Sequence, residues 1–238
     1  MKGKLALITG ASRGLGRSAA LQLAAQGVDI IGTYHSKAAE AQAVADEIER
    51  LGARALMLQL DVGDSASFAG FADGLRAAVL ERFDRQSLDF LINNAGIGQT
   101  ASFADTREEQ FDLLMNIHLK GPFFLTQALL PLIADGGRIV NLSSGLTRFS
   151  LPGYAAYAAM KGASKCSLAI RRVSSVRAVS ASMCSPPVRS RPTSVAVRCA
   201  ITPISMPLSL ATRRWGALAR RMISAWPWPL CSAREDAG

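Results

Sequence analysis

The sequence predicts an α/β fold, in which a doubly wound parallel sheet carries helices on both faces. Short apolar runs alternate with helix-length segments over residues 1–163, and glycines or polar residues close the apolar runs. Strands separated by helices of roughly ten or more residues need crossover connections, which make the sheet parallel. The 238 residues, 49% of them hydrophobic, provide one sizeable core and therefore one domain, with room for an appendage.

Each element is placed by an apolar run or by a glycine that ends a helix. The run KLALI predicts a short buried strand, and the alanine-rich helix after it ends at Gly27. The second helix has Gly52 at its C-terminal end, and Asp61 closes the third strand. The predicted strands cover residues 4–8, 28–33, 55–60, 89–92 and 138–142, and the predicted helices cover residues 17–26, 38–51, 65–82 and 107–133.

A glycine turn, Thr9 to Gly16 (TGASRGLG), lies between the first strand and the first helix. Glycines at such a turn let backbone N–H groups approach a pyrophosphate, and the helix N-terminus favours its negative charge. The alternative is a purely structural turn. Its place directly after the first strand favours the binding interpretation, because ligands bind at the carboxyl ends of parallel strands.

Two asparagine positions are polar where the surrounding pattern is apolar. Asn93 to Gly96 (NNAG) closes the fourth strand, and Asn116 lies inside the helix that follows. Asparagine has a poor helix propensity, so Asn116 either costs stability or has a polar task.

Ser144, Tyr157 and Lys161 form the most chemically suggestive group. The four-residue spacing of Tyr157 and Lys161 in an alanine-rich helix puts both side chains on one face. An ammonium beside a phenol favours the phenolate, which makes a tyrosine a usable proton donor and acceptor. The Ser144 hydroxyl is a candidate to hold a carbonyl oxygen. The alternative is that Tyr157 merely packs and that Lys161 is solvated.

Together these features resemble the short-chain dehydrogenase/reductase family over residues 1–163, which implies a Rossmann-type fold. The resemblance rests on the order and separation of all the motifs, because each one alone is a weak signal. The matching features are the glycine turn at Thr9 to Gly16, Asp61-Val62, the NNAG segment, Asn116, Ser144, Tyr157 and Lys161.

The resemblance implies an oxidoreductase that transfers a hydride between nicotinamide and a ketone or alcohol group. It implies that Tyr157 protonates the substrate oxygen, and that Lys161 lowers the pKa of Tyr157 and holds the nicotinamide ribose. It further implies that Ser144 positions the carbonyl and that Asn116 anchors a proton-relay water. The implied cofactor-binding residues are Gly10, Ser12, Arg13, Gly14, Leu15, Gly16, Ser36, Lys37, Asp61, Val62, Asn93, Ala95, Gly96, Tyr157 and Lys161.

The expected cofactor is NADP(H) in preference to NAD(H). An enzyme that uses NAD usually ends its second strand with an acidic residue that repels a 2′-phosphate. Here the strand runs into residues 32–37 (GTYHSK) without an acid, and Arg13 stands in the glycine turn. We therefore expect Arg13 with Ser36 or Lys37 at the phosphate. The alternative is that Lys37 is a solvated helix start, and His118 is expected to be a helix-surface or packing residue.

The composition changes abruptly after Ala163. Residues 1–163 carry 15 Lys and Arg against 16 Asp and Glu, whereas residues 164–238 carry 12 against 2. All four cysteines, all three tryptophans and seven of the ten prolines also lie in this basic tail. The cysteines lack the spacing of a metal site or a disulfide framework. The tail is therefore not expected to follow the family fold.

A reading-frame error explains this break. Combining the last base of each codon with the first two bases of the next permits a sequence that resembles the family's missing C-terminal part. Some of its residues are forced: Met183 before Cys184 must give valine, and Trp215 before Gly216 must give glycine. The hypothesis is that residues 164–238 are an out-of-frame translation. If the chain is made as printed, we expect a catalytically defective nucleotide-binding remnant.

The remaining expectations concern partners and location. The implied substrate is a small carbonyl or alcohol compound; the likeness to 3-oxoacyl-type reductases leaves sugars, steroids and small ketones open. A homo-oligomer, dimer or tetramer, is expected if the C-terminus is intact. A binding module without catalysis remains an alternative, and the scattered tail arginines disfavour nucleic-acid binding. No metal is expected, and the absence of a secretory pattern or a membrane-length apolar run favours a cytoplasmic protein.

Overall fold

The computed structural model describes residues 1–169, 172–173 and 176–183. Within them lies a seven-stranded sheet with the order β3-β2-β1-β4-β5-β7-β6. Neighbouring strands are parallel except for β6, which pairs with β7 in an antiparallel manner. The strands are β1 (Lys4–Ile8), β2 (Val28–Tyr34), β3 (Ala55–Gln59), β4 (Leu88–Asn93), β5 (Ile133–Ser144), β6 (Arg172–Val173) and β7 (Val176–Met183).

Six α-helices connect or follow these strands within the described residues. The crossovers through the first three of them confirm the doubly wound parallel sheet that the alternation of apolar runs predicts. The helices are α1 (Gly14–Ala24), α2 (Ala38–Arg50), α3 (Phe68–Phe83), α4 (Glu108–Met115), α5 (Gly121–Leu129) and α6 (Ala155–Ala169).

The core is divided into two layers by the sheet, because successive side chains of a strand point to opposite faces. On one face Ala6 and Ile8 of β1 pack with buried residues of α1 and α2. On the other face Leu5 and Leu7 pack with buried residues of α3 and α5. All four of these β1 side chains are 0% exposed, so the first strand is buried on both sides.

The predicted helix over residues 107–133 is wrong in its detail. It is interrupted after α4 by a π-turn over Asn116–Lys120, and after α5 a 3₁₀ turn over Leu130–Leu132 ends it. Pro131 lacks the N–H that a continuing helix would need. Strand β5 therefore begins at Ile133, earlier than the predicted strand at 138–142.

The structure continues past residue 163, where the sequence pattern changes. Helix α6 runs to Ala169, and β7 pairs in parallel with β5 from Arg138–Arg177 to Ser144–Met183. The expectation for the tail did not include this strand. Most of the predicted out-of-frame segment lies outside the described residues.

Candidate active site

The glycine turn forms a close cradle before α1. Gly10 has a φ of +66°, and a Cβ built on it would lie 2.9 Å from Ala95 Cα. A Cβ on Gly16 would lie 2.1 Å from the Gly10 carbonyl oxygen. Helix α1 begins at Gly14, with no acidic residue in its first turn. The cradle therefore brings backbone close together and ends at a positive helix terminus, features that fit the pyrophosphate of a dinucleotide.

Hydrogen bonds join this cradle to the end of β4. Asn94 Nδ2 donates to the carbonyl oxygens of Thr9 and Gly10, at 2.9 and 3.1 Å. In return, Thr9 Oγ1 accepts from the backbone N–H groups of Asn94 and Ala95, both at 3.0 Å. Asn94 is a positioning residue that the sequence analysis did not single out. The available signal was the pair Asn93-Asn94. Because adjacent strand residues face opposite ways, one side chain of the pair had to face away from the other.

The side chain of Asn93 does not face the cradle. It is 5% exposed, and its Nδ2 donates to Thr126 Oγ1 at 3.0 Å and to Asn141 Oδ1 at 2.7 Å. Asn93 therefore joins β4 to β5 and α5 in the core. The alternation of the strand turns its side chain inward, and the assignment of Asn93 to cofactor binding stays a prediction.

The remaining cofactor-binding candidates surround the ends of β2 and β3. Arg13, Ser36 and Lys37 are exposed, and Ser12, Leu15, Val62 and Ala95 are half-buried. Lys37 Nζ lies 3.6 Å from a carboxylate oxygen of Glu40, and His35 Nε2 lies 3.6 Å from Asp61 Oδ2. Residues 34–37 contain no acid, so a 2′-phosphate would meet cations and hydroxyls there.

Lys161 lies deeper than a solvated helix residue would. It is 7% exposed, its Nζ donates to the Leu142 carbonyl oxygen at 2.8 Å, and the same atom lies 5.7 Å from the centroid of the Tyr157 ring. Burial lowers the pKa of Lys161 to about 8. Lys161 and Tyr157 therefore share a face of α6 and lie together against the end of β5.

The electrostatics of Tyr157 differ from the expectation. Burial raises the pKa of its phenol, a hydrogen bond with Ser144 lowers it, and Tyr154 raises it. The net direction is therefore opposite to the lowering expected from Lys161. Desolvation disfavours the phenolate, and the ammonium is directed to a backbone carbonyl. Ser144 nevertheless lies close enough to Tyr157 to lower the pKa of its phenol.

Asn116 opens the π-turn between α4 and α5. The N–H of Gly121 donates to the carbonyl oxygen of Asn116, five residues back. Gly121 also packs directly on the carbonyl of Val62, where a Cβ would lie 2.2 Å from the oxygen. Single π-turns inside helices occur frequently at functional sites. Asn116, the residue for which a polar task is one of the two sequence-based interpretations, therefore lies at an irregular backbone segment and not in a regular helix interior.

His118 was expected to be either a helix-surface or a packing residue, and its burial distinguishes the two. It is 2% exposed, so the helix-surface interpretation is wrong and the packing interpretation is right. Its ring meets that of Tyr157 edge to face, with centroids 5.0 Å apart and an interplanar angle of 80°. The sequence signal for this burial is the spacing of His118 from Leu114, Gly121 and Leu125, because these positions share one helix face. All three of these residues are buried.

Burial lowers the pKa of His118 to about 4. The positive charge of Lys161 contributes to this lowering of the pKa, and a hydrogen bond with the backbone at Ile97 opposes it. His118 is therefore neutral at physiological pH.

A cavity of about 710 Å³ lies beside this group of residues. Its walls come from the loop between β5 and α6, residues 146–154, from Ser102 and Phe103, and from the first turns of α6. Phe103 and Phe149 are 88% and 58% exposed. The cavity has the size of an ordinary small-molecule site and is largely apolar.

The family model described as short chain dehydrogenase matches residues 4–190 of this chain. The chain belongs to the short chain dehydrogenase family. The match includes the glycine turn, the π-turn and α6, and it extends beyond residue 163 into the region of β6 and β7.

Named relatives of this short chain dehydrogenase come from several organisms. An uncharacterized oxidoreductase of Methylorubrum extorquens is 35% identical over 163 residues, which cover 68% of this chain and 63% of the relative. The 3-oxoacyl-acyl-carrier-protein reductase FabG of Staphylococcus aureus is 38% identical over 161 residues, which cover 66% of this chain and 63% of the relative. The matched part thus spans less than two thirds of each relative.

Solved structures of the same family also match. The angucycline C-6 ketoreductase LanV with bound NADP gives a TM-score of 0.68 at 38% identity, covering 70% of this chain and 65% of that chain. A short chain dehydrogenase from Burkholderia cenocepacia in complex with NADP gives a TM-score of 0.64 at 39% identity. The match covers 70% of this chain and 66% of that chain. At these identities the likeness extends beyond the fold to the sequence.

Two features are absent from the described residues of this short chain dehydrogenase. None of its helices there has both the length and the apolar character needed to cross a bilayer. No three His, Cys, Asp or Glu side chains in the same part of the chain gather as a metal site would require.

Proposed function

We propose that this protein is an NADP(H)-dependent oxidoreductase that exchanges a hydride with a ketone or alcohol carbon. The observation that carries the proposal is the meeting of Ser144, Tyr157 and Lys161 at the carboxyl end of β5. This group lies on the same sheet edge as the glycine cradle. A dinucleotide and a small carbonyl compound can therefore be held side by side.

The catalytic roles follow from the chemistry of these side chains. Bound NADP(H) supplies the hydride to the carbonyl carbon during reduction. Tyr157 gives its phenolic proton to the oxygen that becomes the alcohol, and Ser144 donates a hydrogen bond to that oxygen. The buried charge of Lys161 stabilises the phenolate left behind. Asn116 holds the water through which Tyr157 regains a proton, and alcohol oxidation runs these steps in reverse.

The cofactor is held by the cradle and by the cations near β2. The backbone at Gly14 to Gly16 and the start of α1 would bind the pyrophosphate. Arg13, Ser36 and Lys37 would bind the 2′-phosphate, which is the basis for preferring NADP(H). The matched structures with bound NADP support this preference.

We propose that residues 1–163 form the dinucleotide-binding and catalytic part, and that residues 164–238 are an anomalous basic tail from a frameshift. The match to the first curated relatives spans 160–165 residues, which supports this division. The second candidate function is a nucleotide-binding remnant that lost its substrate-binding part. Resequencing codons 155 to 175 should reveal a missing or extra base. An unchanged gene and an intact mass equal to the printed chain would contradict the frameshift.

The substrate class proposed is a small ketone or the corresponding alcohol, in a cytoplasmic homo-oligomer. A ketone is supported by the names of the matched 3-oxoacyl-acyl-carrier-protein reductase and of the angucycline C-6 ketoreductase. Light scattering after size-exclusion chromatography of the full chain should give a dimer or tetramer if the C-terminus is intact. A monomer from a chain with the restored reading frame would refute the oligomer.

The substitution Tyr157→Phe tests the proposed proton donor. It should lower kcat for ketone reduction by about 100-fold or more, because a positioned acid contributes at least that factor. NADPH affinity, measured by its fluorescence, should stay within about threefold, since the phenol does not carry the pyrophosphate or the 2′-phosphate. Tyr154→Phe, which removes a phenol one turn earlier, is the control and should retain most of the activity. Equal losses in both variants would overturn the assignment.

A further inference from the structure

We propose that His118 is a positioning residue that fixes the ring of Tyr157 and keeps water from its phenol. The inference deepens the proposed function, because it rests on Tyr157 as the proton donor. His118 touches Tyr157 and the backbone after β4, and no role for it follows from the motifs by which the family is recognised.

The first step is the contact between the two rings. The centroids of His118 and Tyr157 lie 5.0 Å apart, and the rings meet at 80°. Such edge-to-face pairs fix the mutual orientation of aromatic rings, and they contribute roughly 0.5–1.5 kcal/mol beyond their buried area. Tyr154 also contacts Tyr157 edge to face, at 6.3 Å. The Tyr157 ring thus contacts one ring that directly precedes its own helix and one ring from the π-turn.

The second step is the fixed orientation of the imidazole. His118 Nε2 lies 2.8 Å from the Ile97 carbonyl oxygen and 3.4 Å from the Ile97 N–H nitrogen, and the shorter contact favours the tautomer in which Nε2 carries the proton and donates it. The other nitrogen, Nδ1, is buried and has no hydrogen-bond partner among the described residues. A second proton on Nδ1 would therefore find no acceptor in that part of the chain. The geometry favours one neutral tautomer.

The third step is the close fit on the opposite side of the ring. A Cβ built on Gly96 would lie 2.6 Å from His118 Cε1 and 3.1 Å from Nδ1. Any side chain at position 96 would displace the imidazole. Gly96 and His118 thus pack closely against each other, and this contact holds the imidazole in place next to Tyr157.

The charged and titratable groups that face His118 come from α6. Lys161 acts on it through its positive charge, and Tyr157 meets it through the ring contact. From the segment after β4, the Ile97 backbone and Gly96 contact the imidazole. Because the imidazole is neutral, Lys161 remains the cation that bears on the phenol. Loss of the imidazole would admit water to the Tyr157 ring and favour its phenolate.

The test is the titration of Tyr157 in the full chain. Tyrosine labelled at Cζ with ¹³C gives three ring signals, for Tyr34, Tyr154 and Tyr157, and the Tyr157→Phe variant assigns the third. His118→Ala should lower the titration midpoint of Tyr157 by about half a pH unit or more, because desolvation no longer raises it. His118→Phe keeps an apolar ring in the same place and should leave the midpoint within about 0.3 unit of the wild type.

Leu114→Ala is the matched structural control. Leu114 is 1% exposed and lies one turn before His118 on the same helix face. Its truncation should lower the melting temperature without moving the Tyr157 midpoint. An unchanged midpoint in His118→Ala, or an equal shift in Leu114→Ala, would overturn the proposal.

Turnover separates this proposal from the proposed function. At saturating NADPH, kcat of His118→Ala should fall about tenfold, because small misplacements of a catalytic group are costly. His118→Phe should recover most of that loss. If the wild-type chain binds NADPH but reduces no ketone, the proposed function fails, and a shifted Tyr157 midpoint in His118→Ala still supports the positioning role. Full kcat in His118→Ala would contradict it.

Discussion

Lys161 and Tyr157 illustrate how far single residues could be predicted from the sequence. Their four-residue spacing was sufficient to place both side chains on one face of α6. How deeply the two side chains are buried could not be predicted from the sequence, because burial depends on how β5 and the π-turn pack against that face. For this reason the pKa of Tyr157 is raised rather than lowered. For the same reason the sequence did not distinguish whether His118 lies on the helix surface or is buried.

His118 should make the protein less stable as the pH falls. Its pKa is about 4 in the folded state and 6.5 when unfolded, so the unfolded chain binds the extra proton between these values. Stability is therefore full above about pH 6.5 and is lost towards pH 4, by about 3 kcal/mol in total from this group. Urea unfolding at about pH 7 and about pH 5 measures the change.

His118→Phe is the comparison for that measurement, because it keeps a ring in place and removes the titrating nitrogen. Between the two pH values, the change in its unfolding free energy should be about 2 kcal/mol smaller than the change in the wild type. Other titrating groups contribute equally to both proteins. The same pH dependence in both would contradict the buried neutral imidazole.

Arg13 and Lys37 should determine the cofactor preference. Removing both charges with Arg13→Ala and Lys37→Ala should raise KM for NADPH by about 10-fold or more and change KM for NADH much less, because only NADPH carries the 2′-phosphate. Added salt should weaken NADPH binding to the wild type more than to the variant. Arg76→Ala removes an exposed cation that pairs with Asp73 and serves as the control. A lower KM for NADH than for NADPH in the wild type would refute the preference.

Among the elements, the first strands and helices could be predicted closely, because apolar runs and terminal glycines mark them. Strand β1 has the predicted bounds, and α2 differs by one residue at its end. The segment 107–133 could not be predicted in the same way. A π-turn has no clear sequence signature, and Gly121 is explained only by the Val62 carbonyl that it touches.

Gly16→Ala should destabilise the protein and weaken NADPH binding. The new Cβ would lie 2.1 Å from the Gly10 carbonyl oxygen, so the cradle must open. We expect a stability loss of about 1–3 kcal/mol and at least about a tenfold increase in the Kd for NADPH. Gly74→Ala in α3 is the control, because nothing lies within 4 Å of its Cβ position.

The control should be more stable than the wild type by about 0.5–1 kcal/mol, since alanine favours a helix interior over glycine. Unfolding curves and NADPH fluorescence titrations measure both effects. Full NADPH affinity in Gly16→Ala would show that the cradle does not hold the pyrophosphate.

For the whole molecule, the doubly wound sheet and the edge that carries the site could be predicted, because crossover connections leave few topologies. The contribution of residues 164–183 could not. Their composition lacks the periodicity of a core, yet β7 extends the sheet beside β5. Pairing along a strand depends on backbone hydrogen bonds, which amino-acid composition reports only weakly.

The most direct test of the account is hydride transfer by the full chain. Purified protein would be incubated with NADPH deuterated at the transferable position of the nicotinamide and with a panel of small ketones. Mass spectrometry should find deuterium on the new carbinol carbon, and Tyr157→Phe should reduce the rate about 100-fold or more. Binding of NADPH without deuterium in any product would contradict the proposed oxidoreductase, and equal rates in both proteins would contradict Tyr157 as the proton donor.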